Sequence, residues 1–255
     1  MKKFFTATAF TLGAAAAQAA PVSFSDMTLN GSAALSGTDL QLTDAVDWQN
    51  GSAWTDAVAI ASNTTFSAAF SFTIATPSTG GADGIVFAVH NDTGGTAQTG
   101  DGGGGIGYQG IGNSIAVEFD TWGNGSGDAF SNNHVGINTN GSTASLVLAD
   151  PGYTLQSSTT YAWVEYDGTW LDVFVNNAGF QPAAPLLSYA LDLASIGSTG
   201  FFGFTASTGA ANSTHTINSF DLTLGTAAPI PLPAGGLLLI GGIGALAGLR
   251  RRKRG

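Results

Sequence analysis

Hydrophobic and polar residues alternate in short runs along most of the chain, and almost nowhere with a helical period. Such alternation lines one face of a strand with apolar side chains and the other with polar ones. It predicts strands over residues 66–74, 85–89, 114–120, 134–138, 160–167, 170–176, 201–206 and 216–224. Turn-rich stretches at 77–82, 92–105 and 122–133 divide them. Tyr166-Asp167-Gly168-Thr169-Trp170 predicts a hairpin around Asp-Gly. Many short strands without an internal repeat, over roughly 200 residues, predict one all-β antiparallel sandwich.

The two ends break this pattern. Lys2 and Lys3 precede a small-residue apolar run over 4–17, and Ala17-Gln18-Ala19 fits a cleavage site. Residues 1–19 therefore read as a signal peptide of an exported protein. The domain follows over 20–225, then a Pro-rich spacer over 226–233. Residues 234–255 form a second address: an uncharged, Gly-rich apolar run, then Arg250, Arg251, Arg252, Lys253 and Arg254. Counted from Ile230 the apolar run is 20 residues, long enough to predict one transmembrane helix with its basic end in the cytoplasm.

Charge narrows the function. The 255 residues carry 7 Lys and Arg, 17 Asp and Glu, and a formal net charge of −10. All seven bases lie at residues 2–3 and 250–254, and all the acids lie between them. A nucleic-acid partner is excluded in practice, because phosphate neutralisation requires Lys or Arg. A Lys or Arg clamp for nucleotides is missing for the same reason, so the Gly run at 102–105 is no phosphate loop. Excess carboxylate without counter-charge suits divalent cations. With 16 Phe, 5 Trp and 5 Tyr, the chain has ample material for a core. The absence of Cys excludes disulfides and thiolate metal sites.

The most informative stretch runs from Ser114 to Ile137. In a strand, Ile115, Val117 and Phe119 share one face, and Glu118 and Asp120 share the other. Val135 and Ile137 take the core face of the next strand, leaving His134 opposite. If these strands pair, Glu118, Asp120 and His134 converge, and the loop between them adds Asn124 and Asp128. Carboxylates aimed at one place repel unless a cation or proton joins them. Asp120, Asn124, Asp128 and a carbonyl suit Ca²⁺. Glu118, Asp120, Asp128 and His134 suit Mn²⁺ or another transition ion. A plain polar sheet face followed by a hydrophilic loop reads equally well from spacing alone.

Glu118-Phe119-Asp120-Thr121-Trp122, the loop Asn124 and Asp128, and Asn132-Asn133-His134-Val135-Gly136-Ile137 resemble the metal-binding loop of the L-type (legume-type) lectins. Further segments resemble that family in order: Gly51-Ser52-Ala53-Trp54, Ala82-Asp83-Gly84, Gly103-Gly104-Gly105 and Gly203-Phe204-Thr205. The resemblance implies a jelly-roll sandwich and a Ca²⁺-dependent carbohydrate-binding protein, not an enzyme. It implies Ca²⁺ on Asp120, Asn124, Asp128 and the Trp122 carbonyl, and a second ion on Glu118, Asp120, Asp128 and His134. It assigns sugar hydroxyls to Asp83, a backbone N–H of Gly104 or Gly105 and the Asn124 amide, with Trp122 over the ring. It also implies a cis peptide between Ala82 and Asp83. Asp128 to His134 is one residue longer than in the family, and Ala129 stands where Pro is common. Either a bulge absorbs that residue or His134 is displaced.

Pro231-Leu232-Pro233-Ala234-Gly235, the Gly/Leu-rich run and the Arg cluster resemble a PEP-CTERM sorting tail of the V-P-L-P-A variant, with Ile230 in place of Val. That implies a Gram-negative envelope, surface or matrix location, processing by an exosortase-type enzyme, and an exopolysaccharide partner. A homo-oligomer would suit weak single-site binding. Two other readings stand beside the lectin. One is a Ca²⁺-stabilised structural surface protein. The other is a laminarinase-type glycoside hydrolase, but Gly123 occupies the place of its second catalytic Glu. His90 and His215 read as polar rim residues. Trp48, Trp54, Trp163 and Trp170 read as core or sheet-face residues, and Asp101 as a turn former or site rim.

Overall fold

The computed structural model describes residues 20–76, 80–125, 130–156 and 158–227. The signal segment, most of the spacer, the sorting tail and Asp128 lie outside the described residues. Among the described residues, no helix is long and apolar enough to cross a membrane.

Strands are numbered in chain order. The first six are short: Ala20–Pro21 (β1), Thr28–Gly31 (β2), Ala34–Ser36 (β3), Asp39–Thr43 (β4), Asn50–Trp54 (β5) and Val58–Ala59 (β6). Thr64–Ala75 (β7), Gly84–His90 (β8), Ser114–Asp120 (β9) and His134–Thr139 (β10) come next. Then come Val147–Ala149 (β11), Thr160–Tyr166 (β12) and Trp170–Asn176 (β13). Leu187–Ala190 (β14), Thr199–Ser207 (β15) and Thr214–Thr226 (β16) complete the set. Every strand predicted from alternation is present, and β9 and β13 have the predicted bounds.

The strands form two eight-stranded antiparallel sheets. One runs β14-β13-β12-β7-β16-β4-β3, with β1 on β16; the other runs β11-β10-β9-β8-β15-β5-β2, with β6 on β15. Alternation decides which faces meet. Phe66, Phe70 and Phe72 of β7 and Phe220 of β16 face Phe87 of β8, Phe119 of β9, and Phe202 and Phe204 of β15. Phe70 alone stands 5.1 Å from Phe204, 5.3 Å from Phe87 and 5.8 Å from Phe119, centroid to centroid. Edge-to-face and offset geometries at these distances add to simple area burial. The hairpin at Asp167 is as predicted: its carboxylate accepts from the N–H groups of Thr169 and Trp170, each at 2.8 Å.

The second sheet is covered on its outer face too. A Gly-rich loop over 91–113 lays Ile106, Tyr108 and Ile111 against Trp54, Val86, Ala88 and Ala116. The Tyr108 hydroxyl pairs with Ser114 Oγ at 2.9 Å and accepts from Gly141 N–H at 3.1 Å, anchoring the loop. Every residue of β8 and β9 is buried in consequence. This loop layer carries Gly103–Gly105 to the C-terminal end of β9 and so builds the site.

Candidate functional site

The predicted pairing of β9 with β10 is present, and its register sets His134 opposite Asp120 and Gly136 opposite Glu118. His134 thus lies beside Asp120 across the two strands, as the predicted pairing required. Phe130, with φ of +59°, turns the chain on the way to β10. Glu118 is buried, and its Oε1 lies 3.3 Å from His134 Nε2. Asn138 Nδ2 donates to Glu118 Oε2 at 2.7 Å, and the Ser145 hydroxyl donates to Oε1. A Cβ on Gly136 would fall 2.6 Å from Glu118 Oε1, so only glycine leaves room here.

Asp83 approaches from the other side. The Ala82–Asp83 peptide is cis, as the resemblance implied. The backbone of Asp83 is pinned between two strand ends: its N–H donates to Ser207 O at 3.0 Å, and its C=O accepts from Thr121 N–H at 2.9 Å. The side chain is buried, and Oδ2 has no hydrogen-bond partner. Desolvation pushes its carboxyl up to about 6, partly offset by a hydrogen bond from Asn124. Two glycine-bearing loops leave space around it. A Cβ on Gly209 would stand 3.4 Å from Asp83 Oδ2, and one on Gly104 would stand 2.5 Å from the Asn124 amide. Gly105 N–H donates to Gly102 O at 3.1 Å.

The remaining predicted residues sit in one tight turn after β9. Trp122 N–H donates to Asp120 Oδ1 at 2.7 Å, and Asn124 Nδ2 donates to the Trp122 carbonyl at 3.2 Å. The Trp122 side chain is 38% exposed. Asp120, Asn124 and this carbonyl thus present hard oxygen donors within one turn, the chemistry that fits Ca²⁺. Glu118 Oε1 and His134 Nε2 form an O/N pair that a transition ion or a shared proton can join. Among the described residues, no three His, Cys, Asp or Glu side chains gather as a metal-holding group. Asp128, assigned to both sets, lies outside them.

A sandwich of two large sheets, with a cis bond before a buried Asp and a polar turn after β9, invites comparison with known proteins. The family model of the legume lectin domain matches residues 17–231. The chain belongs to the legume lectin domain family. The L-type lectin-domain containing receptor kinase VIII.1 of Arabidopsis thaliana is 33% identical over 190 residues, covering 69% of this chain and 26% of that protein. Receptor kinase V.9 of the same plant is 35% identical over 135 residues, covering 46% of this chain and 20% of its own length. The chain thus spans about a quarter or less of these curated relatives. Among solved structures, peanut lectin with a nine-residue peptide superposes with a TM-score of 0.72 at 24% identity, covering 84% of this chain and all of that one. Basic winged bean lectin with Tn-antigen gives 0.67 at 26% identity, covering 80% and 94%.

As a legume lectin domain, the chain is a lectin-like carbohydrate-binding module. Its site also includes residues that the sequence reading passed over. Asn138 and Ser145 hold Glu118, while Ser207 and Thr121 hold Asp83. Asn138 was findable, because it shares the face of His134 in β10; Ser145 lies in a loop and gives no such signal. Three expectations need correction. His90 is no rim residue: it is buried, its ring centroid 4.3 Å from Trp54 and 5.3 Å from Phe201, because the Gly-rich loop covers that strand face. His215 is likewise buried, with Nδ1 2.6 Å from Thr43 Oγ1. Trp48 belongs to neither core nor sheet; it sits in the loop between β4 and β5, 74% exposed.

Proposed function

We propose that this protein is an exported, Ca²⁺-dependent carbohydrate-binding protein that performs no chemistry on its ligand. The observation that carries the reading is the buried Asp83 carboxylate, whose Oδ2 lacks a partner beside space kept open by Gly104 and Gly209. A buried, unsatisfied carboxylate oxygen costs stability, so a ligand donor that meets it gains affinity. Two vicinal sugar hydroxyls are such donors. Asn124 and Gly104 N–H add polar contacts, and the half-open Trp122 face covers the C–H patch of the ring.

Asp120, Asn124, the Trp122 carbonyl and Asp128 would hold Ca²⁺, and Glu118, Asp120, Asp128 and His134 a transition ion such as Mn²⁺. The ions would supply charge that fixes Asn124 and the turn in their sugar-binding positions. The ends of the chain supply the address: signal segment, PEP-CTERM-like tail, exosortase-type processing and a place in a Gram-negative envelope or matrix. The partner there is extracellular polysaccharide.

A melting curve of the chelator-treated protein, with Ca²⁺ titrated back, tests the reading. A ligand that binds only the folded state raises the melting temperature with concentration. We expect a rise with Ca²⁺, and glycan binding that Asp83→Ala abolishes while leaving the Ca²⁺-dependent rise in place. A rise with Ca²⁺ but no glycan binding would favour a Ca²⁺-stabilised structural surface protein. No rise with Ca²⁺ or Mn²⁺ would overturn the metal assignment.

A further inference from the structure

The loop between β4 and β5 carries a tryptophan that the site described above does not use. Trp48 has φ of +61°, a left-handed backbone that bulky side chains rarely adopt. Its side chain is 74% exposed. Neither feature helps the fold: a left-handed bulky residue is strained, and an exposed indole gains nothing from burial. Conformations of this kind persist where the surroundings force them, and they cluster at ligand-binding positions.

Here the surroundings do force it. The loop is tied to the 208–212 loop along its length. Trp48 N–H donates to Gly209 O at 3.1 Å, Thr208 N–H to Gln49 O at 2.9 Å, and Gln49 N–H to Thr208 Oγ1 at 2.9 Å. Thr208 Oγ1 donates to Val46 O at 2.6 Å, and Asn212 Nδ2 to Asp47 Oδ1 at 2.6 Å. Gly209 is the residue that faces Asp83 Oδ2. The Trp48 backbone is thus bonded directly to the residue that walls the sugar site. Trp122, on the turn after β9, belongs to a different loop. A single ring seated on Asp83, Gly104 and Asn124 is served by Trp122; an aromatic face beyond Gly209 is available to the next ring of a chain.

We propose that Trp48 forms an adjoining subsite that stacks on a second sugar residue, so that the site takes a neutral oligosaccharide rather than a lone monosaccharide. This rests on the carbohydrate-binding reading of the Asp83 site. Neutrality follows from charge: Asp44, Asp47, Asp83 and Asp101 lie in these loops, and no Lys or Arg exists between residues 4 and 249 to receive a uronate or sulfate.

The test uses an array printed with neutral hexoses and N-acetylhexosamines, each as the monosaccharide and as matching di- and trisaccharides, read with Ca²⁺ present. Trp48→Ala is expected to weaken oligosaccharide binding about tenfold while leaving monosaccharide binding and melting temperature unchanged. Trp48→Phe should restore most of the loss, because an aromatic face is kept. Unchanged oligosaccharide binding by Trp48→Ala, with Asp83→Ala silent on every spot, would overturn the subsite alone. Equal losses on monosaccharides and oligosaccharides would also overturn it. Normal binding by Asp83→Ala, or no glycan binding by the unaltered protein, would overturn the sugar-site reading and the subsite with it.

Discussion

The space between the two sheets and the cluster at the end of β9 are both buried, yet they are built from opposite materials. Between the sheets, eight phenylalanine rings from β7, β8, β9, β15 and β16 meet one another with no polar group to satisfy. At the end of β9, Glu118, Asp120, His134 and Asp83 are just as enclosed. Glu118 is held by three side chains, and Asp83 Oδ2 by none. The first region gains free energy from burial; the second loses it unless something binds. Stability and function are therefore separable here, and substitutions in the two regions should act on different observables.

The largest effect belongs to the interior. Phe70 meets Phe72, Phe87, Phe119 and Phe204. Phe70→Ala should cost about 3–5 kcal/mol in denaturant unfolding, through lost transfer energy plus a cavity that rigid neighbours cannot fill. A cost below about 1 kcal/mol would mean that the rings repack freely, and the contrast with the rim would weaken.

A smaller effect comes from buried groups that belong to neither region. Burial pushes the His215 imidazole down to about 3. Burial likewise lowers His90 to about 4, with Asp92 opposing. Both folded values lie below the ordinary 6.5, so the unfolded chain binds protons first as pH falls. Their stabilisation is complete above about pH 6.5 and is lost progressively as pH falls towards the folded values. Between pH 7 and 5.5 each imidazole should cost about 1 kcal/mol. Asp83, raised to about 6, acts in the opposite sense over the same window. The Asp83→Ala variant removes the opposing carboxyl, and its melting temperature should fall steadily with acid. A flat profile in that variant would mean that water or a proton reaches these rings in the folded state.

How far the sequence could be read follows the same division. Alternation located eight strands, among them the five that contribute the phenylalanine interior, because one apolar residue in two is a strong signal. It passed over β1 to β6, β11 and β14. These are short and rich in Gly, Ala, Ser and Thr, and pairing with neighbours defines them more than side-chain pattern does. Period two also placed Glu118, Asp120 and His134 on one face, and the register confirms that geometry. It could not foresee that the 91–113 loop would cover the outer face of β8, so His90 looked exposed. Nor could it assign Trp48, whose place is set by hydrogen bonds between two loops distant in sequence.

The smallest change in stability should accompany a large change in binding, and Gly104 is where to look. Its φ is not in the left-handed region, so alanine strains no backbone there. A Cβ would nevertheless stand 2.5 Å from the Asn124 amide, which must move aside. That amide is the end of a surface side chain and can yield, so unfolding free energy should change by about 1 kcal/mol or less. Asn124 would then lose its hydrogen bond to Asp83, and its carbonyl contact at Trp122 would loosen. Gly104→Ala should therefore keep the melting curve of the metal-free protein and lose glycan binding on the same array. If binding survived with the melting curve unchanged, Asn124 would not be a sugar contact, and the functional region would shrink to Asp83 and the loops around Gly209.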